Sequence, residues 1–240
     1  MVVRRFEDEG AWVSAALDEF RGAVDYARAE GRSSLSLCLA GGSTPEVVYR
    51  AMAAMPLAGM AVDLWLGDER VVAPDDEARN GAMIERAFAG CAWIPAPALH
   101  LWPTPVSTAS IDPLSPVALG RVAGEYSEEL SSSLGSRPVF DLALLGIGAD
   151  GHTASLFPFS PLLEEASPAS VLASPARAPV PPFDRLTLTL PALSGARRIA
   201  FLVRGEGKRD AVASVGRGDP VAPASMLEGE GRVILCLTGS

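Results

Sequence analysis

The sequence is short of the residues that announce a metal or redox centre. It holds two histidines, His100 and His152, and three cysteines, Cys38, Cys91 and Cys236, with no Cys-x-x-Cys pair among them. Distant histidines and scattered cysteines give no metal-ligand spacing, so no metal and no cofactor is expected. Cys38 and Cys236 lie inside apolar runs and read as buried thiols, which fits a reducing compartment. Basic runs are missing as well, and the formal net charge is -9. That balance argues against nucleic acid or an anionic membrane as partner. No apolar stretch approaches the roughly 20 residues of a membrane span. The segment Met1-Val-Val-Arg-Arg-Phe-Glu-Asp-Glu-Gly10 lacks the apolar core of a signal peptide, and the expected location is the cytoplasm. A covalent serine mechanism would have Ser43 and Ser155 as candidate nucleophiles, but there is no Gly-x-Ser-x-Gly elbow.

What remains is an ordinary globular composition, with 240 residues of which 48% are hydrophobic and 20% charged. A chain of this length can bury roughly 70–75% of its unfolded surface, and no internal repeat or clean linker divides it. One domain over residues 1–240 is expected.

The central stretch is Phe140-Asp-Leu-Ala-Leu-Leu-Gly-Ile-Gly-Ala-Asp-Gly-His-Thr-Ala-Ser-Leu-Phe-Pro158. Its nearly continuous apolar start suits a strand buried on both faces of a parallel sheet. Gly146, Gly148 and Gly151 then open a loop that ends at His152, in the position where open α/β sheets hold their ligands. Leu35–Leu39 is a second strand, running into Ala40-Gly-Gly-Ser-Thr-Pro-Glu46. There Ser43 and Glu46 have capping-box spacing, and Pro45 suits a first helical turn. Free N–H groups at such a helix start bind anions, but a plain strand-to-helix turn would also need the glycines.

Elsewhere, apolar spacing predicts a helix from Asp8 to Glu30, with Ala16, Phe20, Ala23, Val24 and Ala27 on one face. Further helices are expected from Thr44 to about Met55, from an opening at Asp75–Asn80 whose acidic residues suit a first turn, through Val122–Leu134 and from Arg209 to Val215. Val62–Leu66 reads as a strand, followed by a charged loop, Gly67-Asp-Glu-Arg-Val71. Cys91–Pro116 reads as irregular, with His100 a packed or edge histidine. Ala173–Pro182 reads as a surface loop. Arg185–Leu190 alternates leucine with threonine as a strand should, and Ile199–Val203 and Val233–Leu237 complete the set. The pattern is α/β: a mostly parallel open sheet with helices on both faces.

Five of these stretches, in order and at similar spacing, resemble the 6-phosphogluconolactonases of the glucosamine-6-phosphate isomerase/6-phosphogluconolactonase superfamily. They are Ala40–Pro45, Gly67–Arg70, Phe140–Pro158, Arg185–Pro191 and Gly205–Lys208. The deaminase branch shares Gly-x-Asp-Gly-His but continues Ile-Ala-Phe-Asn-Glu-Pro. Here Thr153-Ala-Ser-Leu-Phe-Pro158 follows, the lactonase form. The family often has Ser-Asn-Tyr where this chain has Arg79-Asn80-Gly81.

The resemblance implies hydrolysis of 6-phospho-D-glucono-1,5-lactone to 6-phosphogluconate in the oxidative pentose phosphate pathway. An imidazole, which titrates near pH 6.5, suits the general base that such an ester hydrolysis needs. The expected catalytic residues are His152, Asp68 and Arg70. His152 activates water, Asp68 orients the imidazole or holds sugar hydroxyls, and Arg70 stabilises the oxyanion. Asp150 is the alternative orienter. Gly41, Gly42 and Ser43 would cradle the phosphate, with Arg185, Lys208 and Arg79 supplying charge. A monomer or weak dimer is expected. The competing readings are an aminosugar-phosphate isomerase/deaminase and a non-catalytic sugar-phosphate sensor.

Overall fold

A computed structural model of the chain describes residues 1–57, 59–93, 96–103, 114–164 and 171–238. β1 (Val2–Phe6) leads into α1 (Glu9–Ala29), whose N-cap Asp8 accepts the Ala11 N–H at 2.8 Å. Next come β2 (Ser34–Leu39), α2 (Ser43–Ala53), β3 (Ala61–Leu66), β4 (Asp68–Arg70) and α3 (Asn80–Phe88). β5 (Ala98–His100), α4 (Pro116–Leu134) and β6 (Leu142–Leu145) precede the His152 loop. The chain then forms β7 (Ala173–Arg177), β8 (Asp184–Leu188), α5 (Leu190–Ser194) and β9 (Arg198–Arg204). It ends with α6 (Arg209–Arg217), α7 (Pro223–Met226) and β10 (Gly231–Leu237).

Seven strands build one parallel sheet in the order β1-β10-β9-β6-β2-β3-β5, with helices packed around it. Its central strands are apolar for the expected reason. Leu142–Leu145 is buried throughout, as is β2 after its first residue, because both faces are covered. β2 and β6 are neighbours, with Leu37 opposite Leu142 and Leu39 opposite Leu144. From β2 the sheet grows outward through β3 and β5, and from β6 it grows the other way through β9 and β10. The carboxyl ends of β2 and β6 therefore flank the switch point, where such sheets leave a crevice.

A second, three-stranded antiparallel sheet, β4-β8-β7, departs from the sequence expectation. The chain leaves β3 at Gly67 and continues as β4 rather than as a charged loop. Gly67 belongs to both sheets: its N–H donates to Leu39 O at 2.9 Å, and its carbonyl accepts the Leu188 N–H at 2.8 Å. Residues 173–177, expected in a loop, pair with β8. The leucines and threonines of β8 do not divide into a buried and a solvated face, since Leu186, Thr187 and Leu188 are all buried. Leu190 opens α5 instead of ending the strand. β1 and β5 are strands the pattern did not announce, and residues 94–95 and 104–113 of the expected irregular stretch lie outside the described residues.

Two helix starts differ as well. Gly42, at φ 95°, occupies the N-cap of α2, so Ser43 is already helical and makes no capping bond. α3 begins at Asn80, leaving Asp75, Asp76 and Glu77 outside its first turn. Its acid comes from β4. The Glu69 carboxylate, 4% exposed, accepts the N–H groups of Asn80 and Gly81 at 2.7 Å each. Burial pushes the Glu69 carboxyl up, and the three N–H groups it accepts, from Gly81, Asn80 and Arg70, work against that shift.

His100 is the packed edge histidine that its neighbours predict. Its ring stacks on Trp65 at 3.8 Å, with Glu129 at 2.6 Å from Nδ1 and Asp63 at 3.2 Å from Nε2. Cys38 and Cys236 are buried free thiols. Among the described residues no helix is long and apolar enough to cross a membrane.

Candidate active site

The crevice at the switch point holds a cavity of about 410 Å³. The loop after β6 supplies Gly146, Gly148, His152, Ser155 and Phe157 to its wall. Gly148 is required by close approach: a Cβ there would lie 2.0 Å from His152 Nδ1. With that space open, His152 Nδ1 sits 2.5 Å from Asp150 Oδ1, which also accepts the His152 N–H at 3.1 Å. Phe157 packs against the imidazole, ring centres 4.6 Å apart and tilted by 49°. Burial pushes the Asp150 carboxyl up, but the His152 N–H and the imidazole outweigh it and hold the group below the usual carboxylate range.

Of the two candidate orienters it is thus Asp150 that braces His152. Asp68 is held elsewhere. Its Oδ2 accepts the Ser155 hydroxyl at 2.6 Å, and Asn80 Nδ2 lies 2.9 Å from its main-chain oxygen and 3.3 Å from Oδ1. Asn80 in turn presses on the glycine turn, because a Cβ on Gly41 would fall 1.9 Å from Asn80 Oδ1.

β4 and β8 supply the cations. Arg70 and Arg185 lie directly opposite one another, as do Asp68 and Thr187. Both arginines line the cavity. Like charges opposed across strands destabilise a sheet, and the arrangement calls for an anion between them. Arg70 is steadied by the Ala78 carbonyl at 2.7 Å from Nη1. Arg185 is 8% exposed, and its buried Nη1 has no hydrogen-bond partner among the described residues. Burial, followed by the charge of Arg70, lowers the Arg185 pKa.

Lys208 completes the set, and it is the sole lysine in the sequence. It also lines an adjoining cavity of about 220 Å³ that contains Gly42, Ser43 and the start of α2. Gly41, Gly146, Ile147 and Lys208 are common to both spaces.

Three of the residues singled out from the sequence have other surroundings than expected. Arg79 lies against Glu69, Nε 3.8 Å from Oε2, and is not among the cavity residues. Asp150 stands behind His152 rather than in the wall. Ser155 spends its hydroxyl on Asp68, which removes it as a nucleophile beside the imidazole. Asn80, Phe157 and the lip formed by Val180, Pro181 and Pro182 also line the cavity, and the sequence pattern does not single them out. The rarity of lysine was a usable signal for Lys208, but nothing local marks the lip.

An open parallel sheet that gathers a braced imidazole and three cations at its switch point has the architecture of an α/β enzyme. The chain belongs to the glucosamine-6-phosphate isomerase/6-phosphogluconolactonase family, whose model matches residues 7–235. It is 34% identical over 213 residues to the 6-phosphogluconolactonase of Synechocystis, covering 86% of this chain and 82% of that one. It is 35% identical over 220 residues to that of Mycobacterium tuberculosis, covering 90% and 87%. Among solved structures, the 6-phosphogluconolactonase of Thermotoga maritima matches with a TM-score of 0.74 and 26% identity, over 100% of this chain and 99% of that one.

Proposed function

We propose that this protein hydrolyses 6-phospho-D-glucono-1,5-lactone to 6-phospho-D-gluconate. The observation that carries this reading is that His152, Arg70, Arg185, Lys208 and Gly41 all border one cavity, of a size that holds a sugar phosphate. In a chain of net charge -9, three cations around one space create a local field for an anion.

The chemistry starts from the Asp150 contact. With Nδ1–H donating to Asp150, Nε2 carries the lone pair that takes a proton from water. Water attacks the lactone carbonyl carbon, and the developing oxyanion faces Arg70, whose charge and rigid donor fork are always available. Collapse breaks the bond from the carbonyl carbon to the ring oxygen. The imidazolium returns its proton to that oxygen, which leaves as a hydroxyl. Arg185 and Lys208 hold the phosphate, with the amides of Gly41, Gly42 and Ser43 at the start of α2. Asp68 faces the sugar hydroxyls. No cofactor takes part. Residues 1–240 act as one domain in the cytoplasm, as a monomer or weak dimer, in the oxidative pentose phosphate pathway.

The test is hydrolysis of freshly made lactone, followed against its spontaneous background. Turnover well above background is expected. Absence of turnover would overturn the reading, and release of ammonia from glucosamine 6-phosphate would transfer it to the isomerase/deaminase branch.

A further inference from the structure

Two carboxylates serve this site, and their supports are separate. Asp150 is engaged by His152. Asp68 is engaged by Ser155 and Asn80, residues that are 1% and 2% exposed. Ser155 is itself fixed from behind. Its N–H donates to Thr187 Oγ1 at 3.2 Å, and the Thr187 hydroxyl donates to Leu188 O at 2.9 Å. Thr187 is the residue in register with Asp68 across β4 and β8. The three therefore form a closed set: strand partner, serine and carboxylate.

The backbone just before Ser155 is bent to make this contact. Ala154 has φ 48°, in the left-handed region that alanine avoids. Such a conformation persists only where surrounding contacts hold it, and it concentrates at functional sites. Here it turns Ser155 back toward β4, three residues after His152 faces the cavity. A serine whose Oγ lies 2.6 Å from the carboxylate oxygen it donates to has its donor committed, so its use is geometric rather than nucleophilic.

We propose that Ser155 is a positioning residue: by donating to Oδ2 it fixes the rotamer of Asp68 and leaves the carboxylate's remaining lone pairs directed at the hydroxyls of the sugar. The proposal deepens the lactonase reading and rests on it for its kinetic test. In this arrangement Asp150 governs the imidazole, and Asp68, held by Ser155, governs the sugar.

The test combines kinetics with structure. Ser155→Ala is expected to lower kcat/KM for the lactone about tenfold, chiefly through KM, because the hydroxyl contacts of Asp68 act in substrate and transition state alike. Ser155→Cys, with a weaker donor of similar size, falls between wild type and alanine. On an Asp68→Asn background, Ser155→Ala costs less than about twofold, since the two groups act as one unit. A tenfold loss that persists on that background, or one carried by kcat alone, would refute the positioning role. A crystal structure of Ser155→Ala gives a readout independent of turnover. The Asp68 carboxylate is expected to rotate away from its wild-type position, and an unmoved carboxylate sinks the proposal whatever the kinetics show. A rotated carboxylate in a protein whose wild type fails to hydrolyse the lactone would leave Ser155 as the support of Asp68 and remove only the proposed reaction.

Discussion

The seven-stranded and the three-stranded sheet reach the cavity by different means. The parallel sheet contributes only what lies beyond its strand ends: Gly41 after β2, the Gly146–His152 loop after β6, and Lys208 after β9. Its central strands are buried on both faces and have no side chains to spare for a ligand. The antiparallel sheet contributes residues of the strands themselves, Asp68, Arg70 and Arg185. The first arrangement suits a group that must be aimed, such as an imidazole in a tight glycine loop. The second suits a charge field, because register fixes two arginines side by side at some cost in stability. On the proposed mechanism the large sheet aims the imidazole and the small one sets most of the charge field, and each half of that division can be tested.

The largest expected effect is at His152. His152→Ala should lower kcat/KM for the lactone by about 10²–10⁴-fold, the usual contribution of a general base. An unchanged rate in a stopped-flow or pH-stat assay would break the division at its strongest point. Gly148→Ala comes next. Its Cβ would occupy the place of His152 Nδ1, 2.0 Å away, and the imidazole must move. A displacement of about 1 Å can cost about 10²-fold, so kcat should fall by that order while phosphate binding, measured by calorimetry with inorganic phosphate, survives.

Arg185→Met sharpens the other half. It removes a buried cation that faces Arg70, so KM should rise while the protein becomes more stable. If the relief is worth about 1 kcal/mol, Tm increases by roughly 2–4 °C for a chain of this size. A lower Tm would mean that the opposed arginines are not in conflict.

The smallest effect concerns acid stability. The Asp150 carboxyl is held below its ordinary range by the His152 N–H and imidazole, working against burial. Its folded pKa is depressed, so the stability it contributes is present above the unfolded value of about 3.9 and is lost as pH falls through the folded one. Denaturant unfolding below about pH 4 should show this loss in wild type and a shallower acid slope in Asp150→Asn. Identical slopes would mean that the imidazole is not braced by this carboxylate.

The readable part of the fold was its period and its punctuation. The apolar stripe of α1 appears as its spacing required. Leu142–Leu145 and Leu35–Leu39 declared themselves by apolar runs that stop at glycines. The charged triplet Asp68–Arg70 reads as a loop, because its strand partner β8 lies far along the chain and pairing of that kind leaves no local trace. The same holds for β7, whose prolines and alanines read as a turn. Arg79 is undecided locally for a related reason: a cation in an acidic stretch fits an ion pair or a ligand contact equally until Glu69, from β4, is seen beside it.

Local chemistry settled which groups were available. One histidine followed a buried strand, two glycine turns left room for an anion, and arginines and a single lysine stood at strand ends. These are properties of short segments, legible because backbone freedom, hydropathy and titration belong to each residue. Asp150 meets His152 two residues along the same loop, a contact within local reach. Where Asp68 ends up was decided only by packing: it meets Ser155 and Asn80 because two sheets joined at Gly67 bring distant strands into register, and register is a long-range property that no local pattern encodes.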